Sequence, residues 1–174
     1  ISRHSQLSVH ISLITLDREL ARRLEPRSPT PESRIRALTR LRAAGIETGI
    51  NCMPVLPGIT DNPADLDALV KRVAEAGATH VAACALRLRN SAKQRYLPFI
   101  DTEFPHLAPS YRAVYGRGHQ AGEKYREGLA RFFEKTCAKY GVRGSSRMDD
   151  ADQDDTEPPR PGEKDLLQLE LLDG

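Results

Sequence analysis

Five segments in the first half of the chain alternate between two hydrophobic periods, and this alternation constrains the fold more than any other feature. Residues 8–15, 46–54 and 79–87 have the period of two and the short apolar runs that are typical of β-strands. Residues 31–44 and 63–76 repeat apolar side chains every three or four positions, as amphipathic helices do. Such an order favours parallel strands with right-handed crossovers. The sequence therefore predicts an α/β fold with three adjacent parallel strands and both helices on one side.

The predicted helices carry suitable residues at their ends. Thr30 and Asn62 are good N-cap residues, and a proline follows each of them at the first helical position. Gly45 and Gly77 follow the last apolar residues and suit the left-handed conformation that ends a helix. Three further helices are predicted, at residues 92–102, 106–115 and 121–140.

The composition fits one globular domain, because the 174 residues are 39% hydrophobic and 29% charged. The sequence contains no run of 18 apolar residues and opens with no charged-then-apolar leader. This predicts neither a membrane span nor a signal peptide, and the expected location is the cytoplasm. Cys52, Cys84 and Cys137 are odd in number and widely spaced, which favours reduced thiols over a disulfide framework.

Charge is distributed unevenly along the chain. Residues 144–174 contain ten acidic and three basic residues, which predicts a disordered acidic tail after a folded body at residues 1–143. The segment LLQLELL near the end is a candidate docking helix, although a solvated tail is the simpler interpretation. The body carries a net charge of +9, which is compatible with nucleic acid or an anionic cofactor and does not distinguish them.

The segment PVLPGITDN, residues 54–62, connects the second predicted strand to the helix that begins at Pro63. Pro54 and Pro57 lack amide hydrogens and stiffen this connection, while Gly58 allows a turn where a side chain would clash. Ligands of parallel α/β sheets bind at the carboxyl ends of the strands, where this segment lies. Two interpretations remain open, namely a rigid ligand-binding loop and a tight turn without a ligand.

Three segments, covering about half of the chain, carry a family resemblance: VHISLITLDRELARRLEPRSPTPESRIRALTRLRAAGI (9–46), GINCMPVLPGITDN (49–62) and EAGATHVAACALRLR (75–89). Together they give a serine-containing strand ending in Thr-Leu-Asp, then Glu-Pro-Arg, an arginine-rich helix and Pro-Val-Leu-Pro-Gly-Ile-Thr-Asp. This combination resembles the C-terminal half of radical S-adenosylmethionine (SAM) enzymes. The similar branch is that of spore photoproduct lyase, whose relatives are often labelled DNA repair photolyases.

The resemblance implies half of a partial TIM barrel with added C-terminal helices, whose upper rim holds SAM on a [4Fe-4S] cluster. The family's adenine-packing motif, G-x-I-x-G-x-x-E, maps onto Pro54, Leu56, Gly58 and Asp61, with proline in place of the first glycine and aspartate in place of glutamate. The family's ribose-contacting polar residue maps onto Ser12. Strand alternation places Ser12 on the lumen side if Ile11 and Leu13 pack outward.

Four other residues have two interpretations each. Glu25 and Arg27 flank a proline at the predicted ligand rim, where they could clamp a carboxylate or phosphate or else fix the loop through an ion pair. His10 and His80 lie in predicted strands, and such histidines are more often hydrogen-bonded core residues than ligands or bases.

The C-x-x-x-C-x-x-C motif that binds the family's cluster does not occur in the sequence, and the three cysteines are too far apart to replace it. We therefore expect the chain, which begins at Ile1, to be the C-terminal portion of a longer protein, with no metal ligands of its own. No catalytic residue can be assigned.

Two function classes remain open. The first is part of a radical SAM enzyme, lyase-like and iron-sulfur dependent, in which this half supplies adenosine contacts and substrate surface and is inactive alone. A nucleic acid substrate would suit the basic body. The second is a nonenzymatic half-barrel module that binds nucleic acid or another anionic partner.

Overall fold

The computed structural model describes residues 7–146, except for the side chains of Asn90 and Ser146. Four parallel strands form one sheet in chain order: β1 (Ser8–Ser12), β2 (Glu47–Val55), β3 (His80–Ala85) and β4 (Arg143–Ser146). The three predicted strands are adjacent and parallel, which confirms the α/β fold. A parallel sheet in this order is consistent with one half of a partial barrel.

Six helices connect or flank the strands: α1 (Arg18–Leu24), α2 (Pro31–Ala43), α3 (Pro63–Glu75), α4 (Asn90–Glu103), α5 (Ala108–Tyr115) and α6 (Glu123–Lys139). Five of them lie close to their predicted bounds. Helix α1 was not predicted, because it has no buried residue and therefore no apolar stripe in its sequence. Its start is set by Asp17, whose side chain accepts hydrogen bonds from the amides of Glu19 and Leu20.

The predicted start of the acidic tail at residue 144 was wrong, because that position lies within β4. This strand pairs with β3 from His80↔Arg143 to Ala83↔Ser146. Its sequence, Arg-Gly-Ser-Ser, has no hydrophobic alternation, so pairing with a buried neighbour rather than local propensity decides its conformation. Residues 147–174, the remainder of the predicted tail, lie outside the described part of the chain.

The predicted helix ends of α2 and α3 are confirmed. The Thr30 hydroxyl accepts a hydrogen bond from the amide of Ser33, and the Asn62 side chain accepts one from the amide of Ala64. Gly45 and Gly77, with φ of +75° and +93°, turn the chain back toward the next strand.

The apolar core lies between one face of the sheet and the helices. Helix α2 packs on β1 and β2, α6 packs on β3 and β4, and α3 packs beside α6. The largest fully buried aliphatic side chains include Leu38, Ile50, Leu69, Val70 and Val81. Among residues 7–146, no helix has both the length and the apolar character needed to cross a bilayer.

Replacing Leu38 by alanine should lower the free energy of unfolding by about 2–5 kcal/mol, because its side chain is fully buried between α2 and the sheet. Urea denaturation followed by circular dichroism measures this loss. Leu7→Ala is the matched control, since Leu7 is 40% exposed, and it should change the value by less than about 0.5 kcal/mol. Equal losses in both variants would contradict the placement of the core.

Candidate functional site at the carboxyl edge of the sheet

The segment after β2 is a closed turn built on its own hydrogen bonds. The Leu56 carbonyl accepts from the amides of Ile59 and Thr60, and the Leu56 amide donates to the Thr60 hydroxyl at 2.9 Å. Gly58 has a φ of +72°, a conformation that glycine adopts without strain, and its amide donates to Asp61 Oδ1 at 2.8 Å. The segment is therefore a rigid loop with a fixed shape.

Asp61 is buried and holds this loop against α6. Its Oδ2 accepts a hydrogen bond of 2.9 Å from the Tyr125 hydroxyl, while Oδ1 accepts from the amide of Gly58. Burial raises the pKa of Asp61 above the usual range, and these two hydrogen bonds oppose that shift by stabilising the carboxylate. Asp61 therefore has a structural task that occupies both of its oxygens.

The helices α4 and α5 lie at the same edge and contact the segments that follow β1, β2 and β3. Arg23 of α1 donates to Glu103 at the end of α4. The buried Tyr111 hydroxyl donates to the Pro57 carbonyl at 2.8 Å, and the buried Tyr115 hydroxyl donates to the Leu86 carbonyl at 3.2 Å. The edge is thus walled by a pair of helices as well as by the loops.

Arg34 fixes the position of Ser12 at the end of β1. Its guanidinium, only 11% exposed, donates to the Ser12 carbonyl at 2.7 Å and to Glu25 Oε2 at 2.8 Å. It also donates to the Pro29 carbonyl at 3.0 Å. Of the two interpretations of Glu25, the structure therefore favours the loop-fixing ion pair, with Arg34 rather than Arg27 as the partner.

The five predicted site residues have different environments. Ser12 is exposed on the open face of the sheet, and Pro54, which follows a cis peptide bond, and Gly58 are half-buried. Leu56 and Asp61 are buried within the loop. Three of the five are thus accessible to a ligand, and the other two can act only through the shape of the loop.

Two buried polar atoms near this edge have no hydrogen-bond partner within the described residues, namely the Tyr96 hydroxyl and Gln120 Oε1. The Tyr96 ring lies 6.3 Å from that of Tyr111, which holds the loop after β2. Gln120 pairs with Arg87 just beyond β3. Because unpaired buried polar groups are costly, a polar ligand that satisfied them would be favoured.

The three cysteines do not fit an iron-sulfur cluster. Burial raises the pKa of Cys52 to about 12 and that of Cys137 to about 11, so both thiols stay protonated. Cys52 lies on the helix-covered face of β2, whereas Cys84 lies on the opposite face of β3. Within residues 7–146, no group of three or more His, Cys, Asp or Glu side chains could hold a metal.

Neither Arg34 nor the roles of Tyr111 and Tyr115 were predicted from the sequence, and Tyr125 was predicted only as part of an apolar face. Helical periodicity indicates that a tyrosine ring is buried but does not reveal which atom its hydroxyl meets. The prediction that His10 and His80 are core histidines was wrong, because His10 is exposed and His80 is half-buried on the open face of the sheet. They do hydrogen-bond to each other.

Comparisons with known proteins found one superfamily match and several relatives that are uncharacterized. Residues 2–81 match the model of the Radical SAM superfamily. The chain is 38% identical over 141 residues to uncharacterized proteins of Mycobacterium bovis and Mycobacterium tuberculosis, covering 81% of this chain and 42% of each relative. An uncharacterized protein of Acidianus two-tailed virus is 29% identical over 79 residues, 44% of this chain and 26% of the relative. The chain thus spans less than half of these relatives, and no solved structure matches it.

Replacing Tyr125 by phenylalanine should destabilise the protein in a pH-dependent manner. The folded pKa of Asp61 lies above its unfolded value, so ionisation of Asp61 costs stability as the pH rises from the unfolded pKa through the folded one. The Tyr125 hydroxyl offsets part of this cost. Its loss should therefore have little effect below the unfolded pKa and should reach about 1–3 kcal/mol at neutral pH, as measured by urea denaturation.

Tyr140→Phe is the matched control, because Tyr140 also donates from α6 to an aspartate, the partly exposed Asp67. The pKa of Asp67 is lowered, chiefly by its hydrogen bond with Lys139. The loss of stability in Tyr140→Phe should therefore set in below the usual pKa of aspartate, whereas the loss in Tyr125→Phe should set in above it. A Tyr125→Phe loss that did not change with pH would contradict the assignment.

Proposed function

We propose that this chain is the C-terminal part of a radical SAM enzyme and that it supplies adenosine contacts and substrate surface. The observation that carries the proposal is the superfamily match over residues 2–81, which includes β1, β2 and the loop at residues 54–61. Those elements end at one edge of a parallel sheet, where α/β proteins bind their ligands. Residues 7–146 contain no suitable group of cluster ligands, so those ligands would come from elsewhere in the longer protein.

The adenosine would contact Ser12, Pro54 and Gly58, whose atoms are accessible at this edge. Leu56 and Asp61 would act indirectly, because their hydrogen bonds hold the loop backbone in one conformation before a ligand binds. When bound to a [4Fe-4S] cluster, SAM supplies a 5′-deoxyadenosyl radical to the family's reactions. The residues of this chain orient the nucleoside, and the helical wall formed by α4 and α5 limits access of water to it.

We further propose a lyase-like activity on a nucleic acid, in the branch similar to spore photoproduct lyase. The supporting features are the segments quoted above and the basic body, in which Arg18 and Arg22 line a surface pocket between α1 and the start of α2. A nonenzymatic module that binds single strands would need exposed aromatic rings beside the arginines. Tyr125 and Phe133 are instead buried in the core, and this favours the enzyme.

The 174-residue chain should acquire no brown cluster absorbance on anaerobic reconstitution with iron and sulfide, and it should form no 5′-deoxyadenosine with SAM and dithionite. The reason is that Cys52 and Cys137 are buried, and Cys84 lies on the opposite face of the sheet from Cys52. A longer protein that contains C-x-x-x-C-x-x-C should do both. Cluster formation by the chain alone would overturn the assignment of its cysteines.

In the longer protein, Ser12→Phe should lower the yield of 5′-deoxyadenosine at least about tenfold and leave cluster absorbance unchanged, because the added ring would occupy the nucleoside side of the site. Ser8→Phe is the matched control, since Ser8 is exposed on the same face of β1 but at the other end of the strand. Equal loss of cluster and product in the Ser12 variant would indicate a folding role instead.

A further inference from the structure

His10 of β1 and His80 of β3 meet on the open face of the sheet, above the strand that separates them. Their ring centroids are 4.6 Å apart, and His80 Nε2 lies 3.2 Å from His10 Nδ1. The same nitrogen of His10 lies 3.3 Å from Asn51 Oδ1 of β2. His10 Nδ1 therefore lies within 3.3 Å of polar atoms from both other strands. Asn51 pairs in register with Ser12, so this cluster lies beside the proposed nucleoside contact on the open face of the sheet.

Gly49 of β2 makes this convergence possible. It pairs with His10 across β1 and β2, and a Cβ built on it would lie only 2.1 Å from His80 Nε2. Any side chain at residue 49 would therefore displace the His80 ring. The missing side chain lets two histidines on non-adjacent strands come within contact distance.

The hydrogen bonds around His80 determine which of its nitrogens is free to accept. The Thr79 hydroxyl donates to the Thr48 carbonyl at 3.2 Å, so its oxygen accepts from His80 Nδ1 at 3.0 Å. Neutral His80 then carries its proton on Nδ1, and the lone pair of Nε2 points toward His10. A hydrogen bond from the remote ring nitrogen is the usual way in which a metal-binding histidine is oriented.

We propose that His10 Nδ1, His80 Nε2 and Asn51 Oδ1 form a binding site for a divalent transition metal such as Zn²⁺. Two ligands at about 2.0–2.1 Å from a tetrahedral ion lie about 3.3 Å from each other, which matches the two observed spacings of 3.2 and 3.3 Å. Nitrogen-rich sites of this kind suit zinc, nickel or cobalt better than magnesium. Water completes the coordination on the exposed side of His10.

The electrostatic surroundings permit a neutral ligand set. Metal binding requires that both imidazoles are in their neutral form. Arg143 is paired with Glu47, and this pair adds no net charge beside the site. The cluster adjoins Ser12, which pairs with Asn51, but the proposal rests on the geometry of the two histidines and does not depend on nucleoside binding.

The first test is calorimetric titration of the metal-free chain with ZnCl₂. One ion should bind per chain, and His10→Gln and His80→Gln should each weaken binding at least about tenfold. His106→Gln is the matched control, because His106 is exposed between α4 and α5, and it should bind zinc like the unchanged chain. Zinc binding that is equal in all four proteins, or absent from the unchanged chain, would overturn the proposal.

Two further measurements keep the test decisive if a histidine variant fails to fold. Thr79→Val retains both imidazoles but removes the acceptor for His80 Nδ1, and it should weaken zinc binding about tenfold. The Co²⁺ complex of the unchanged chain should show tetrahedral visible bands without thiolate charge transfer. A thiolate charge-transfer band in the Co²⁺ complex would assign the ion to cysteine and refute the histidine site. Loss of zinc binding in Cys84→Ser would do the same.

Discussion

The central position of β2 is the constraint on which the rest of the structure depends. Because β2 pairs with parallel strands on both sides, its side chains must alternate between the helix-covered face and the open face. Ile50 and Cys52 are buried beneath the helices, whereas Asn51 lies on the open face. One alternation therefore gives β2 both an apolar, helix-covered face and a more polar open face.

The loop that leaves β2 owes its rigidity to buried polar groups. The two oxygens of Asp61 accept from the Gly58 amide and the Tyr125 hydroxyl, so one carboxylate joins the loop to α6. Tyr111 joins the same loop to α5 through the Pro57 carbonyl. Buried polar groups must be paired, and pairing across elements fixes their relative positions. Most of the polar side chains at this edge thus maintain its shape, and few remain available to a ligand.

The open face of the sheet carries two distinct chemical environments. At the carboxyl edge, Ser12 and the loop after β2 present backbone groups and a hydroxyl, which we propose as nucleoside contacts. Beside it, the ring nitrogens of His10 and His80 lie next to each other, and His10 Nδ1 also lies next to Asn51, the residue that pairs with Ser12. Both environments arise from residues two positions apart along the same strands, since this is the spacing that returns a side chain to one face.

The sequence by itself determined the order of strands and helices, because hydrophobic period, N-cap residues such as Thr30 and Asn62, and the terminal glycines are local signals. It also placed the loop after β2 at the carboxyl edge of the sheet. It could not reveal β4 or α1, whose sequences have no apolar pattern, or the roles of Arg34 and Gly49. Those depend on groups distant in the chain, such as the Ser12 carbonyl and the His80 ring. Only tertiary packing decides which polar atom meets which partner, because local sequence sets a residue's face and not its neighbour on another element.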